Sequence, residues 1–186
     1  MVLWVVIAVL AIPLALVLWG VAIYNRLVKL TNMVEEGWSG IDVQLKRRAN
    51  LIPNLVAAVK GYLGHEDDLL TRVTELRRQS LQTGDRARKG GVEGALSGAL
   101  GNIMAVAENY PDLKADRTFL RLQKQLAEIE DELQLARRYY NGTVRNLNTL
   151  IDSFPSNIVA TRFRFNSAEF FEIDDPADKA VPKITF

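Results

Sequence analysis

Few residues in this chain of 186 could do chemistry. His65 is its single imidazole, and it has no cysteine. Disulfides, zinc thiolate sites, iron–sulfur clusters, cysteine nucleophiles and metal sites built on several imidazoles are therefore excluded. A di-iron bundle needs carboxylates from several helices and two Glu-x-x-His pairs, which one histidine cannot supply. His65 beside Glu66 reads as a cap or surface residue. Glu128, Glu130, Asp131 and Glu132 resemble paired acid–base carboxylates, but their spacing is that of a solvated helix face. No Gly-x-x-x-x-Gly-Lys or Gly-x-Gly-x-x-Gly phosphate loop occurs, and Gly98 and Gly101 lie inside a helical pattern. We therefore expect no catalytic residue, no metal and no cofactor, and a chain that is not an enzyme.

The basic triplet Lys46-Arg47-Arg48, followed by Pro53-Asn54, is the most informative charged motif. Adjacent helical residues point about 100° apart, so three cations in a row cannot all avoid the core. At least one must face a neighbour. The structural reading is a salt bridge to Glu128, Asp131 or Glu132, and the functional reading is contact with a partner protein. A second basic group, Arg77, Arg78, Arg86, Arg88 and Lys89, surrounds a glycine-rich turn, with Asp85 the only acid from Leu76 to Gly91. It fits either a solvated turn or attraction to anionic lipid. Charges nearly cancel overall, +4 from Asn25 to Gly90 against −3 afterwards, so nucleic acid is not an expected partner.

The elements that position these groups begin with an apolar run. No charge occurs from Val2 to Ile23. A bilayer core of about 30 Å needs about 20 such residues in a helix, so this stretch is expected to span, with Pro13 at most kinking it. Trp4, Trp19 and Tyr24 stand towards its ends, where aromatic rings favour the membrane boundary. A cleaved signal peptide fits worse, because no Lys or Arg precedes the run and no small-x-small site follows it. Arg26 and Lys29 follow the span. The positive-inside rule then puts the short N-terminus outside and the bulk of the chain in the cytoplasm of a single-pass cell-membrane protein. The alternative leaves the bulk outside or periplasmic.

Beyond the span the pattern is helical. Phe119 to Phe154 carries a seam of alternating three and four spacing: Phe119, Leu122, Leu126, Ile129, Leu133, Ala136, Tyr140, Thr143, Leu147, Leu150, Phe154. Pro155 stops it. Asn25 to Leu63 carries a second stripe, from Leu27 and Leu30 through Trp38, Ile41 and Leu45 to Val59 and Tyr62. Gly37, Gly40 and Pro53 weaken its continuity, and a bend is expected near Pro53. Shorter helices are expected over Glu66–Gln82 and Val92–Tyr110, joined by a turn over Thr83–Gly91. Gly94, Gly98, Gly101 and Ala105 share one face of the latter, which suggests close approach of a neighbouring helix or a subunit contact.

The expected fold class is all-α: a transmembrane helix over 1–24, then a mostly antiparallel, coiled-coil-like bundle of long helices over 25–155. A C-terminal arm over 156–186 completes the chain. In it, Arg162-Phe163-Arg164-Phe165 alternates as a strand or extended arm would, Phe170 and Phe171 follow, and an acidic stretch runs from Glu172 to Asp178. The arm either packs on the bundle or anchors at the membrane interface. The first and last long helices outrun the middle pair, so an apolar stripe is left for another subunit or the tail to cover. Self-association as a homo-oligomer is expected.

Several of these stretches together resemble the LemA family. They are Trp38-Ser39-Gly40-Ile41-Asp42-Val43-Gln44-Leu45-Lys46-Arg47-Arg48 with Leu51-Ile52-Pro53-Asn54-Leu55-Val56, then Gly94-Ala95-Leu96-Ser97 and Tyr110-Pro111-Asp112-Leu113-Lys114-Ala115. Tyr139-Tyr140-Asn141, Asn148-Thr149-Leu150 and Phe154-Pro155-Ser156-Asn157-Ile158 complete the set. Gly37 departs from the pattern, where Ala or another helix former is expected. The resemblance implies a bacterial protein with an N-terminal anchor, a cytoplasmic helical bundle and no established molecular function. It also implies companionship with other membrane proteins, including membrane proteases and small anchored domains.

Together these readings give a membrane-anchored, self-associating scaffold or interaction protein whose partners are the lipid bilayer, further copies of itself and other membrane proteins. An accessory subunit of a membrane enzyme or protease system, or a lipid-interacting protein that organises membranes, is the alternative. Trp4, Pro13, Trp19 and Tyr24 are the candidate anchor residues. The candidate interaction residues are Trp38, Lys46, Arg47, Arg48, Pro53, Gly94, Gly98, Gly101, Phe154, Pro155 and Asn157.

Overall fold

The apolar run leads into a single unbroken helix. In a computed structural model, which describes residues 1–64 and 66–172 and all their side chains except those of 3–9, helix α1 extends over Val2–Lys60. It continues through Gly37, Gly40 and Pro53, where the sequence suggested interruption. Five further helices follow: α2 (Asp67–Gln82), α3 (Arg86–Ala107), α4 (Pro111–Ala115), α5 (Arg117–Asp152) and α6 (Ser156–Arg162). The described residues are all helical or irregular, with no strand among them.

Local chemistry sets the ends. Asp85 accepts a hydrogen bond from the Ala87 amide at 3.2 Å and so caps α3. The helix therefore starts at Arg86, not Val92, and the expected Thr83–Gly91 turn shrinks to residues 83–85. Asp116 caps α5 by accepting from the Phe119 amide at 2.8 Å, and Pro111 opens α4 at a position where a missing N–H costs nothing. After α5 the Phe154–Pro155 peptide is cis. The Ser156 hydroxyl lies 2.7 Å from the Leu150 carbonyl and 2.9 Å from that of Ser153, two of the orphan acceptors at the helix end.

The chain divides into two units. One comprises Met1–Ser39 with Arg138–Ala168, the other Gly40–Arg137 with residues 169–172 among those described. In the first unit Leu27, Val34, Tyr140, Val144 and Leu147 are buried. Trp38 meets Tyr140 edge-on at 5.7 Å, and Tyr24 meets Phe163 at 4.9 Å and Phe165 at 5.7 Å. The side-chain amide of Asn148 donates to the Ala168 carbonyl and accepts from the Ala168 amide, both at 2.9 Å. It thereby pairs the extended segment as a strand neighbour would.

In the second unit one core draws on α1 to α5. Ile52, Leu55 and Val59 pack with Leu70, Val73, Leu96, Leu100, Ile103, Leu113, Phe119 and Leu122. Burying each such side chain stabilises by about 1.5–3 kcal/mol. Phe171 is also buried here, and a Cβ at Gly90 would collide with the carbonyl of Glu172.

The structure corrects three expectations. Residues 156–162 are helical, so among the described residues of the arm only 163–172 are irregular; Ser156, Val159 and Ala160 are buried at helical spacing, a stronger determinant than four alternating residues. Close backbone approach occurs at Gly37 and Gly90, whereas a Cβ at Gly98 or Gly101 would meet open space. Phe154, placed in the seam, is 79% exposed because α5 ends before it. His65 and residues 173–186, with most of the acidic stretch, lie outside the described residues.

Gly37, where a helix former was expected, lies at a close approach. A Cβ there would stand 3.1 Å from the Tyr140 Cα and 3.3 Å from the Tyr139 ring, whereas one at Gly40 would meet nothing within 4 Å. Gly40→Ala should therefore stabilise by up to about 1 kcal/mol through helix propensity. Gly37→Ala should destabilise, because overpacking costs about 1–3 kcal/mol and exceeds the same gain. Thermal melts of both variants in detergent check this, and equal shifts would refute the close approach.

Candidate functional site

The basic triplet divides three ways on α1. Lys46 is exposed and pairs with Asp42 at 2.6 Å, and Arg47 donates to Gln44 at 2.9 Å. Arg48 points inward and is 0% exposed. Its guanidinium pairs with Glu93 of α3, also 0% exposed, and with Glu130 of α5 at 2.6 Å. It further donates to the Ser97 hydroxyl at 2.8 Å, and the buried Ser80 hydroxyl donates to the other oxygen of Glu93. The expected partners Glu128, Asp131 and Glu132 are not the ones used. Glu128 instead lies 3.9 Å from Lys124 on its own helix, and Glu130, assigned to the solvated face, is half-buried.

Electrostatics favours a permanently charged arginine. Burial would pull the Arg48 guanidinium down, but the carboxylates of Glu130 and Glu93 outweigh it and raise its pKa. One cation therefore holds two anions from two other helices, with hydroxyls filling further donor and acceptor positions. Such a cluster fixes register more than it adds stability. Nearby, Lys89 of α3 reaches Asp42 at 2.9 Å, giving that carboxylate two lysines. Partial burial would raise the Asp42 pKa, but hydrogen bonds from Lys46 and Lys89 lower it overall.

A groove of about 480 Å³ runs beside the cluster, between α3 and α5. Ser97 and Glu130 belong to both cluster and groove, and Gly101, Met104, Gln134 and Arg137 extend the lining. The Nε atoms of Arg48 and Arg137 are buried without a hydrogen-bond partner. No group of three or more metal-ligating side chains occurs among the described residues.

The remaining candidates fall in several places. Gly94 is buried, Gly98 is exposed and Gly101 lines the groove. Pro53 is exposed on α1, and Trp38 is half-buried against Tyr140. Phe154 and Pro155 are exposed, while half-buried Asn157 has an Oδ1 without a hydrogen-bond partner. Among the anchor residues, Pro13, Trp19 and Tyr24 are exposed on α1, and the Trp4 side chain lies outside the described residues.

Residues 37–186 match the LemA family as a whole. The chain belongs to the LemA family. Its relatives include magnetosome protein MamQ 1 of Paramagnetospirillum magneticum, 25% identical over 184 residues, covering 85% of this chain and 68% of that protein. Magnetosome protein MamQ of Magnetospirillum gryphiswaldense is 22% identical over the same span. Protein LemA of Metamycoplasma hominis is 24% identical over 152 residues, covering 81% of this chain and 69% of its own.

Sequence reasoning missed Glu93 and Ser80 as members of this LemA-family chain's charged cluster. The signal was present for one of them. Glu93 stands three residues before Leu96, in step with Leu100, Ile103 and Ala107. A carboxylate at a core position requires a cation across the interface, and Arg48 sits beside Leu45 and Ala49 on the opposing stripe. Nothing local distinguished Ser80 or Ser97.

Removing the cation should strand both carboxylates. Arg48→Met is expected to destabilise by about 3–5 kcal/mol, and the combination Arg48→Met/Glu93→Leu/Ser80→Ala should recover most of it. Urea unfolding of both variants tests this, and a silent Arg48→Met would overturn the assignment. Asp42 sets a pH dependence. Its folded pKa lies below the ordinary 3.8, so its pairing contributes fully above about pH 5 and is lost as pH falls through the depressed value. The stability gap between wild type and Lys89→Met should narrow accordingly in acid.

Proposed function

We propose that this protein is a membrane-anchored, self-associating helical scaffold that acts by holding partners and not by catalysis. The observation that carries the reading is the exposed apolar half of α1. Leu10, Ile12, Leu14, Leu16, Val17 and Leu18 are each at least 60% exposed. Within Leu10–Lys60 an 18-residue window has mean hydropathy 1.7 and is 6% buried. Among the described residues α1 is the one helix long and apolar enough to cross a membrane. Such a surface is satisfied by lipid.

The chain is organised as an anchor over 1–24, a mostly antiparallel bundle over 25–155 and a tail over 156–186. Contacts within each unit support the bundle. In the second unit Arg48 meets Glu130 and Tyr62 meets Asp116, so rising positions face falling ones. In the first, Tyr24 meets Phe163 and Trp38 meets Tyr140. The non-catalytic reading is supported by the charged cluster, in which Arg48, Glu93 and Ser80 pair with one another inside a core. The relatives' names state no reaction, so this reading rests on the chain itself. Leu120, Leu135 and Tyr139 are about half exposed and offer apolar surface to further copies or to other membrane proteins. Arg26 and Lys29 after the span favour a short outer N-terminus and a cytoplasmic bulk in the cell membrane.

The absence of cysteine makes the test direct. Ser39→Cys and Ser167→Cys place single thiols at exposed positions. An impermeant maleimide applied to intact cells should label neither until the cells are lysed. Labelling without lysis would reverse the orientation. Light scattering after mild solubilisation should give a particle several times the mass of 20.8 kDa, and a strict monomer would refute the scaffold.

A further inference from the structure

We infer that α6 and the residues flanking it form a second membrane contact, seated on the headgroup layer and recognising anionic phospholipid. This rests on the anchoring role proposed for α1.

The placement follows from one contact. Gly37 of α1 lies against the Tyr140 backbone of α5. Thirteen residues separate Gly37 from Tyr24, where the apolar run has just ended, and thirteen separate Tyr140 from Ser153. Both helices rise about 1.5 Å per residue, so α5 ends at the level where lipid begins. The rings confirm the level independently, since Phe163 and Phe165 both close edge-on over Tyr24.

The surface there is apolar and basic. Ser156, Val159 and Ala160 turn α6 inward, leaving Ile158, Thr161 and Arg162 outward, and Phe154 is exposed just before the helix. Phe154 is 79%, Ile158 59% and Phe163 56% exposed. Three large apolar side chains are thus exposed within ten residues, close enough in sequence to meet one lipid surface. Arg162 and Arg164 are exposed beside them, with Arg26 and Lys29 exposed just past the span and Asp152 the acid in the last turn of α5. Arg164 holds a left-handed φ of 60°, at the bend where the chain leaves α6. Apolar residues flanked by arginines fit the boundary between acyl chains and anionic headgroups. A seven-residue helix would bind weakly alone. Here α1 already holds it at the surface, so little ordering remains to oppose the contact.

The full chain, carrying one cysteine labelled with an environment-sensitive fluorophore, is reconstituted into vesicles of phosphatidylcholine with or without phosphatidylglycerol. The cysteine replaces Leu14, Ile158 or, as a control fifteen residues before Ser153, Arg138. A spin-labelled lipid quenches from the bilayer and iodide quenches from water. We expect the Ile158→Cys probe to be quenched by lipid about threefold or more beyond the Arg138→Cys probe. Phosphatidylglycerol should strengthen this, and Arg162→Gln/Arg164→Gln should remove most of that increase. Quenching at Ile158 equal to that at Arg138, with Leu14 quenched by lipid, would overturn this inference alone. Loss of lipid quenching at Leu14 would overturn the anchor reading beneath it. An Ile158 probe shielded from both quenchers would mean a protein cover and would also overturn it.

Discussion

One helix carries two kinds of surface. Val2 to Ile23 carries no charge, and from Leu10 to Leu18 the side chains of α1 are exposed. The remainder presents a stripe, Leu27, Val34, Ile41, Leu45, Ile52 and Val59, which is buried against protein. The helix does not break between them. In the first unit Tyr140, Val144 and Leu147 of α5 are buried, and in the second α2 and α3 complete the core.

Within that core the hydrophobic effect alone would leave register loosely specified, since leucine contacts tolerate sliding. Arg48 removes the freedom. Its two carboxylate partners come from two helices, and a slip of one residue on any of the three would leave a buried charge unpaired, at a cost of several kcal/mol. Asp42 with Lys89 ties α1 to α3 a second time, nearer the surface. Asn148 performs a related task for the irregular segment, matching the amide and carbonyl of Ala168 with a single side chain.

Glycine is used sparingly but in places that matter. Gly37 lets α5 approach α1, and Gly90 makes room for the Glu172 carbonyl. The glycines that looked most purposeful by spacing, Gly98 and Gly101, face open space and a groove instead. A stripe of small residues records that bulk is absent, but it does not record whether a neighbour fills the room.

The sequence alone determined the apolar run, the all-helical class, the long seam and its end near Pro155, because these depend on hydrophobic periodicity and on proline geometry, both local. It also showed that one of three adjacent cations must turn inward. Which one did so, and which carboxylates met it, was decided by the tertiary structure. Glu93 and Glu130 are separated from Arg48 by 45 and 82 positions, and only the packing of three helices brings them together. The same holds for Gly37, whose missing Cβ has meaning only once Tyr140 lies opposite. Local pattern reports which face of an element is buried, whereas identity across an interface depends on rise and rotation accumulated along two elements, which no short window contains.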